Sequence, residues 1–364
     1  MSRPASREAY FDNVKFIIGF LVFAGHVFTQ LKWTREFSAL EAVFSSFRMP
    51  VFTFLVGYFS QGFLRSKGRA RRLIAKVAIV YLIFDLLYQI LDAFLGLKGF
   101  TFTPLSPYIH LWFLTAMFLW RASAPLWLQM RYPFAVSVFV SLVAGLSELG
   151  IFTRPLSMLP FFVLGLMVRR EHFETLRRTP VRVAALGILA FQLVVFYLAI
   201  PKVFTGRTIF RAIWNRSYER ADFPVLFGMS LRLFAIFGTI VVGAAVLSLV
   251  SDREGWISRL GSRSLYMYVL HYAFIRVGIA FGLFALFPEG NLGLTLAMVV
   301  CFLLGIVLCS KPVYLVFHKL MEPPTDWLFH PRSKAKPKPK PKPPAVPPPA
   351  APPQSEQIHS PLHR

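Results

Sequence analysis

Apolar runs of about 17 to 25 residues recur along the chain to about residue 320, each long enough for a helix to cross a hydrocarbon core about 30 Å thick. Short polar segments separate them. The pattern predicts ten helices, over 14–33, 40–64, 73–95, 105–125, 133–150, 155–169, 182–201, 226–250, 261–287 and 291–317. The expected fold is therefore an all-α polytopic membrane protein. It divides into an N-terminal segment over 1–13, a transmembrane body over 14–320 and a tail over 321–364. The first apolar run follows Arg3 and Arg7 as a signal peptide would, but no small-residue cleavage site follows it, so it is expected to stay.

Basic residues set the expected orientation, because short cytoplasmic loops carry the excess of Lys and Arg. The segment 65–76 holds Arg65, Lys67, Arg69, Arg71, Arg72 and Lys76 and no acid. The segment 169–182 and the residues Arg253, Arg259 and Arg263 fall on the same side, which places both termini in the cytoplasm. The loop over 202–225 breaks the rule. It lies outside, yet carries Lys202, Arg207, Arg211, Arg216 and Arg220 with Phe210 and Trp214 among them. It reads either as an interfacial helix at lipid headgroups or as a cap that gathers an anionic acceptor over the pore mouth.

The chain has 364 residues, 55% of them hydrophobic and 16% aromatic, with a mean hydropathy of +0.56. A sizeable soluble domain does not fit that balance. The net charge of +23 would suit nucleic acid, but the bases sit in short loops and in the tail, so the expected partner is the bilayer with its anionic headgroups. The tail begins with alternating Lys and Pro over 334–342 and continues as a Pro/Ala run, which cannot bury a core and reads as polyproline-rich and disordered. Cys301 and Cys309, about 12 Å apart by helical rise, cannot bridge each other. No metal-ligand spacing accompanies them, and no metal is expected.

Ionisable groups inside such helices are functional candidates, because a charge in hydrocarbon is costly. His26 lies eleven residues, about 17 Å, beyond Lys15 on the first helix, which places it near mid-membrane. His271 enters its own helix to a similar depth. Asp85 is expected either to orient an imidazole or to pair with Lys15 or Arg48. Pro50 removes one backbone donor from the second helix and so predicts a bend around a cavity. Trp112 fits an interfacial aromatic belt, and the neighbouring His110 is placed to meet an external acceptor.

Lys15 with His26, Phe47-Arg-Met-Pro-Val-Phe52, Gly57-Tyr58, Arg69-Ala-Arg-Arg72, His110-Leu-Trp-Phe-Leu114 and Ser264-Leu-Tyr-Met-Tyr-Val-Leu-His271 occur in an order that resembles the acyltransferase 3 family, in the flavour of its fucose 4-O-acetylase-like branch. The resemblance covers residue 10 to about 320. It implies an O-acyltransferase that takes an acyl group, commonly acetyl, from cytoplasmic acetyl-CoA and delivers it to a hydroxyl of a sugar, glycan or glycolipid of the cell envelope. The implied location is the bacterial cytoplasmic membrane. The implied catalytic residues are His26 as general base with Lys15, to which Asp85 is added as an orienting group. Arg69 and Arg72, with Arg71 between them, match the family's cytoplasmic motif and would hold CoA. Arg48, His110, Trp112, His271 and Arg211 are the candidate acceptor-binding residues. Arg48 stands where that branch often has a histidine, and Val56 where many relatives have a serine.

Two other readings use the same residues. In a proton-coupled transporter or flippase, His26, His271 and Asp85 would form a relay; no internal repeat supports it. In a scaffold, the proline-rich tail would recruit a partner, but the buried charges would then have no purpose.

Overall fold

The computed structural model describes residues 5–64, 68–199, 206–324 and 328–329. Arg65, Lys67, Lys202 and nearly all of the tail lie outside them, as do the side chains of Arg207 and Arg211. The described residues are helical, with no strand. In chain order the helices are α1 (Ala5–Phe28), α2 (Arg35–Leu64), α3 (Arg69–Phe94, which contains one π-helical turn), α4 (Trp112–Trp127), α5 (Pro133–Val143), α6 (Thr153–Ser157), α7 (Leu159–Met167) and α8 (Arg170–Leu176). They continue as α9 (Thr179–Ala199), α10 (Gly206–Asn215), α11 (Val225–Leu249), α12 (Trp256–Gly261), α13 (Ser264–Ala280), α14 (Asn291–Leu308) and α15 (Lys311–Met321).

Six described helices are long and apolar enough to cross a membrane, namely α1, α2, α3, α9, α11 and α14. The pair over 150–167, bent by 42°, makes a seventh, and α5 and α13 are shorter apolar helices. The protein is thus a multi-pass integral membrane protein. Several expected helices are broken. The run over 133–150 stops at Val143, the run over 261–287 starts only at Ser264 and ends at Ala280, and the last run breaks at Cys309–Ser310, ahead of Pro312.

The spans differ in what surrounds them. The apolar window of α1 is 72% buried and that of α2 67%, whereas that of α9 is 6% buried and that of α11 28%. α1 and α2 are therefore the centre of the bundle, and α9 and α11 carry exposed side chains such as Phe191, Leu198 and Phe234, as lipid-facing helices do. Close approach at the centre requires missing side chains. A Cβ on Gly57 would stand 2.0 Å from the Phe162 carbonyl oxygen, and one on Gly165 2.1 Å from that of Phe54, so two glycines set the crossing of α2 with α7. Gly165→Ala is expected to push these backbones apart and sharply lower the yield of folded protein, read as the monodisperse fraction after detergent extraction.

The polar ends sort into two faces. Lys15 pairs with Asp12 at 2.5 Å, Arg177 pairs with Asp252, Lys76 pairs with Glu322 at 3.0 Å, and Asn13 donates to the carbonyls of Ser251 and Arg253. These belong to the base-rich face. On the opposite face Lys32 meets Glu289, Arg35 donates to the Tyr197 carbonyl, and Glu148 accepts from the Ser217 amide at 3.0 Å.

The first helix differs from expectation in a way that moves the site. It starts by Ala5 and ends at Phe28, so His26 lies in its last turn, near the face opposite the bases, and not at mid-span. The early start is held by tertiary contacts, since the Tyr10 hydroxyl donates to the Leu247 carbonyl at 2.8 Å. The end is closed by the Thr29 hydroxyl, which donates to the His26 carbonyl at 2.7 Å.

Candidate functional site

Pro50 lies inside α2 and cannot donate to the Ser46 carbonyl one turn earlier. The Thr239 hydroxyl of α11 donates to that oxygen instead, at 3.1 Å. Pro50 and Thr239 line an apolar cavity of about 370 Å³, and beside Ser45, Arg48 and Met49 of the same helix a second, polar cavity of about 170 Å³ opens. His26 and Val22 of α1, Ser45, Arg48 and Met49 of α2, and Trp112 line one part of it. Arg154, Met158, Phe210, Trp214 and Asn215 complete the rest. The larger cavity lies among α2, α7, α8 and α11, but its lining is almost wholly apolar and His172 is its one ionisable side chain. The polar cavity is where chemistry is possible.

Arg48 is fixed from two sides. Its Nη2 pairs with Glu41 Oε1 at 2.6 Å, where Glu41 is 1% exposed, and the Ser45 hydroxyl donates to the same carboxylate oxygen at 2.9 Å. The guanidinium lies against the backbone of Gly25, where an added Cβ would come within 2.3 Å of Nη1. The residue before His26 must therefore be small for Arg48 to reach this place. Gly25→Ala is expected to displace the guanidinium from Glu41 and lower the acyl-transfer rate at least tenfold, while α1 still forms because alanine favours helix. Initial rates in membranes of matched protein content check this.

The cap over the cavity is α10 with the turn that follows. Ile213 and Trp214 are buried, and Phe210 and Trp214 line the cavity, so this segment is a cap on the protein and not a helix laid on lipid. Arg232, fully buried on α11, holds it in place. Its guanidinium donates to the carbonyls of Ser141 at 2.7 Å and Arg216 at 3.2 Å and lies over the Tyr218 ring. Gly145 and Gly228 leave room for that ring.

Behind His26 stands a block of imidazoles and phenols. The His26 ring is 5.4 Å from those of His271 and Tyr272, His110 is 5.1 Å from His271, and His110 stacks on Tyr272 at 4.9 Å. His271 Nδ1 faces the carbonyl oxygens of Met267 and Tyr268 at 3.0 and 2.8 Å. Carbonyls only accept, so the proton is assigned to Nδ1 and the lone pair to Nε2. By the same reasoning His110 carries its proton on Nε2, which faces the Val269 carbonyl at 3.2 Å. Both are buried, and neither is among the residues that line the cavity.

The other expected residues lie elsewhere. Asp85 pairs with neither Lys15 nor Arg48. It accepts from the Tyr108 amide at 2.8 Å, while Asp92 one helical stretch on accepts from the Tyr108 hydroxyl at 2.8 Å and pairs with Arg276 at 2.5 Å. Both carboxylates thus hold the turn that carries His110. Lys15 is on the base-rich face with Asp12, far along α1 from the cavity. Arg69 and Arg72 are exposed and Arg71 half-buried at the start of α3, again away from His26. The Arg211 side chain lies outside the described residues. Trp112, expected in an aromatic belt, lines the cavity with Arg154 5.2 Å above its ring.

Glu41, Arg154 and Arg232 have no clear mark in the sequence, whereas Trp214 was marked as an aromatic among the bases of the 202–225 loop. Glu41 is seven residues before Arg48, two turns along one helix face, and this spacing was the one available sign of the pair. No curated protein and no solved structure matches the chain. The family model described as an acyltransferase domain, Acyl_transf_3, matches residues 8–311, which spans α1 to α14 and includes every residue of the cavity. The chain belongs to the acyltransferase 3 family and is a membrane acyltransferase.

Proposed function

We propose that the protein moves an acyl group, acetyl in the simplest case, from acyl-CoA to a hydroxyl of a sugar, glycan or glycolipid, with His26 as general base. One observation carries the reading. Among the described residues lining the polar cavity, His26 is the one imidazole, the side-chain type most often used to take and return a proton in catalysis. Arg48 and Arg154 present guanidinium groups that donate and do not accept, and the remaining lining residues are apolar, amide, indole or hydroxyl groups.

In this mechanism the imidazole removes the acceptor's hydroxyl proton as that oxygen attacks the thioester carbonyl. The C–O bond forms, the C–S bond breaks, and the CoA sulfur leaves with the proton returned by the imidazolium. Arg69, Arg71 and Arg72 on the base-rich face suit CoA phosphates as charge-assisted partners. The acyl group then has to travel about 17 Å along α1 from the level of Lys15 to His26.

That separation favours a second form of the same reading, in which His26 itself accepts the acyl group, releases CoA and passes the acyl to the acceptor on the far side. Membranes holding the protein, given acetyl-CoA labelled in the acetyl group, test both. Label passing into a carbohydrate or lipid fraction supports acyl transfer, and label held on the protein when acceptor is absent supports the relay. A wild-type protein that is folded, supplied with native lysate and gives no labelled product would exclude both. The transporter reading would then lead.

A further inference from the structure

The His26 cavity contains more donors than the protein uses. Arg48 Nη1 and Trp214 Nε1 are buried without a hydrogen-bond partner among the described residues, and both residues line the cavity. Trp214 is 2% exposed. An indole N–H and a guanidinium can only donate, and a buried donor left unpaired is unfavourable, so the missing partners are acceptors. Arg154 adds a second guanidinium. The described lining holds two arginines and no acid, and the nearby Glu41 already receives Arg48 Nη2 and the Ser45 hydroxyl.

The remaining lining is flat and aromatic. Trp112, Phe210 and Trp214 present ring surfaces, against which the C–H face of a sugar packs while its polar edge turns to the donors. The volume of about 170 Å³ is below the roughly 300–1,000 Å³ of pockets that take drug-sized ligands. One sugar ring suits it better than a nucleotide does, which argues against the CoA diphosphate as the missing anion.

Resting on the proposal that acceptor and His26 meet in this cavity, we propose that the acceptor is an acidic sugar whose anionic oxygen group is bound by Arg48, Arg154 and the Trp214 N–H, so that a neighbouring hydroxyl lies at His26. A carboxylate and a phosphate offer the same chemistry here. Both are planar or tripodal oxygen acceptors that a guanidinium binds in a two-point fashion. The fixed cap sets the distance between the anion and the reacting hydroxyl, which makes the anionic group a determinant of where on the sugar the acyl group goes.

The test uses the full chain in native membranes with radiolabelled acetyl-CoA. Labelled product is passed over an anion exchanger, untreated, after methyl esterification of carboxylates, and after phosphatase. Retention of the untreated product is expected, with release by the first treatment identifying a uronate-type acid and release by the second a phosphate. Acceptor kinetics are then compared for Trp214→Phe, Arg154→Gln and the double variant Glu41→Gln/Arg48→Gln, which avoids leaving one buried charge alone. Each is expected to raise the acceptor KM at least tenfold relative to the KM for acetyl-CoA. Trp214→Phe keeps an aromatic ring and an uncharged side chain while it removes the indole N–H with part of the ring area, so it reports even where the arginine variants fail to fold. An uncharged product overturns the proposal, as do variants that lower kcat and leave the acceptor KM in place. Absence of any labelled product, in contrast, marks failure of the acyl-transfer reading on which it rests.

Discussion

His26→Gln is expected to lower acyl transfer by roughly 100- to 10,000-fold, the range that general base catalysis contributes, without unfolding the protein. Glutamine keeps a polar side chain of similar reach at the end of α1 but cannot take a proton at neutral pH. The neighbouring block of His271, His110 and Tyr272 does not replace it. The Nδ1 proton of His271 is committed to backbone carbonyls, and His271 and His110 are buried behind His26 and do not line the cavity. The rate of labelled product formation, normalised to folded protein, decides the matter. A variant with more than about a tenth of wild-type activity would exclude the base role.

Glu41→Ala is expected to cost roughly 3–5 kcal/mol of stability, the usual effect of leaving one member of a buried ion pair without the other. Arg48 is held within α2 between that carboxylate and the Gly25 backbone, and removal of Glu41 leaves a guanidinium with 12% exposure and no counter-charge from that side. Glu41→Gln/Arg48→Gln is expected to be milder than either single charge removal, because no lone buried charge remains, and a double-mutant cycle gives the coupling directly. Cys301 and Cys309 provide the readout. Both are buried free thiols, so a maleimide dye that fluoresces on thiol attachment follows unfolding on heating in detergent. Equal unfolding temperatures for wild type and Glu41→Ala would show that the pair contributes nothing to stability.

Much of the molecule was determined by the sequence alone. The hydrophobic runs gave an all-helical membrane bundle because hydrocarbon forces each backbone to satisfy its own hydrogen bonds. The grouping of bases assigned the segments 65–76 and 169–182 and the residues Arg253, Arg259 and Arg263 to one side, and in the structure Arg177 of the second pairs with Asp252 beside the third. Pro50 marked a stretch of α2 that lines a cavity, though the apolar one and not the one at His26, because a missing N–H frees a carbonyl wherever it occurs. The family was legible because short motifs at fixed spacing are local features of the chain.

Position along the helix axis was decided by tertiary structure. Hydropathy placed α1 over 14–33, since Asp12 and Lys15 look like an end; contacts of Tyr10 and Asn13 with the segment over 247–253 extend the helix through them and leave His26 at the far end. Which charges meet was equally hidden. Asp85 and Arg48 are both intramembrane charges of opposite sign, and sequence alone allows them to pair, but the fold gives Asp85 to the Tyr108 amide and Arg48 to Glu41. The cap was ambiguous because an amphipathic helix has one apolar face whether lipid or protein covers it, and only the packing of Trp214 over the His26 cavity says which. Local hydropathy determines that a segment is a helix in a membrane. What a side chain on that helix touches depends on neighbours distant in the chain, and those neighbours build the site.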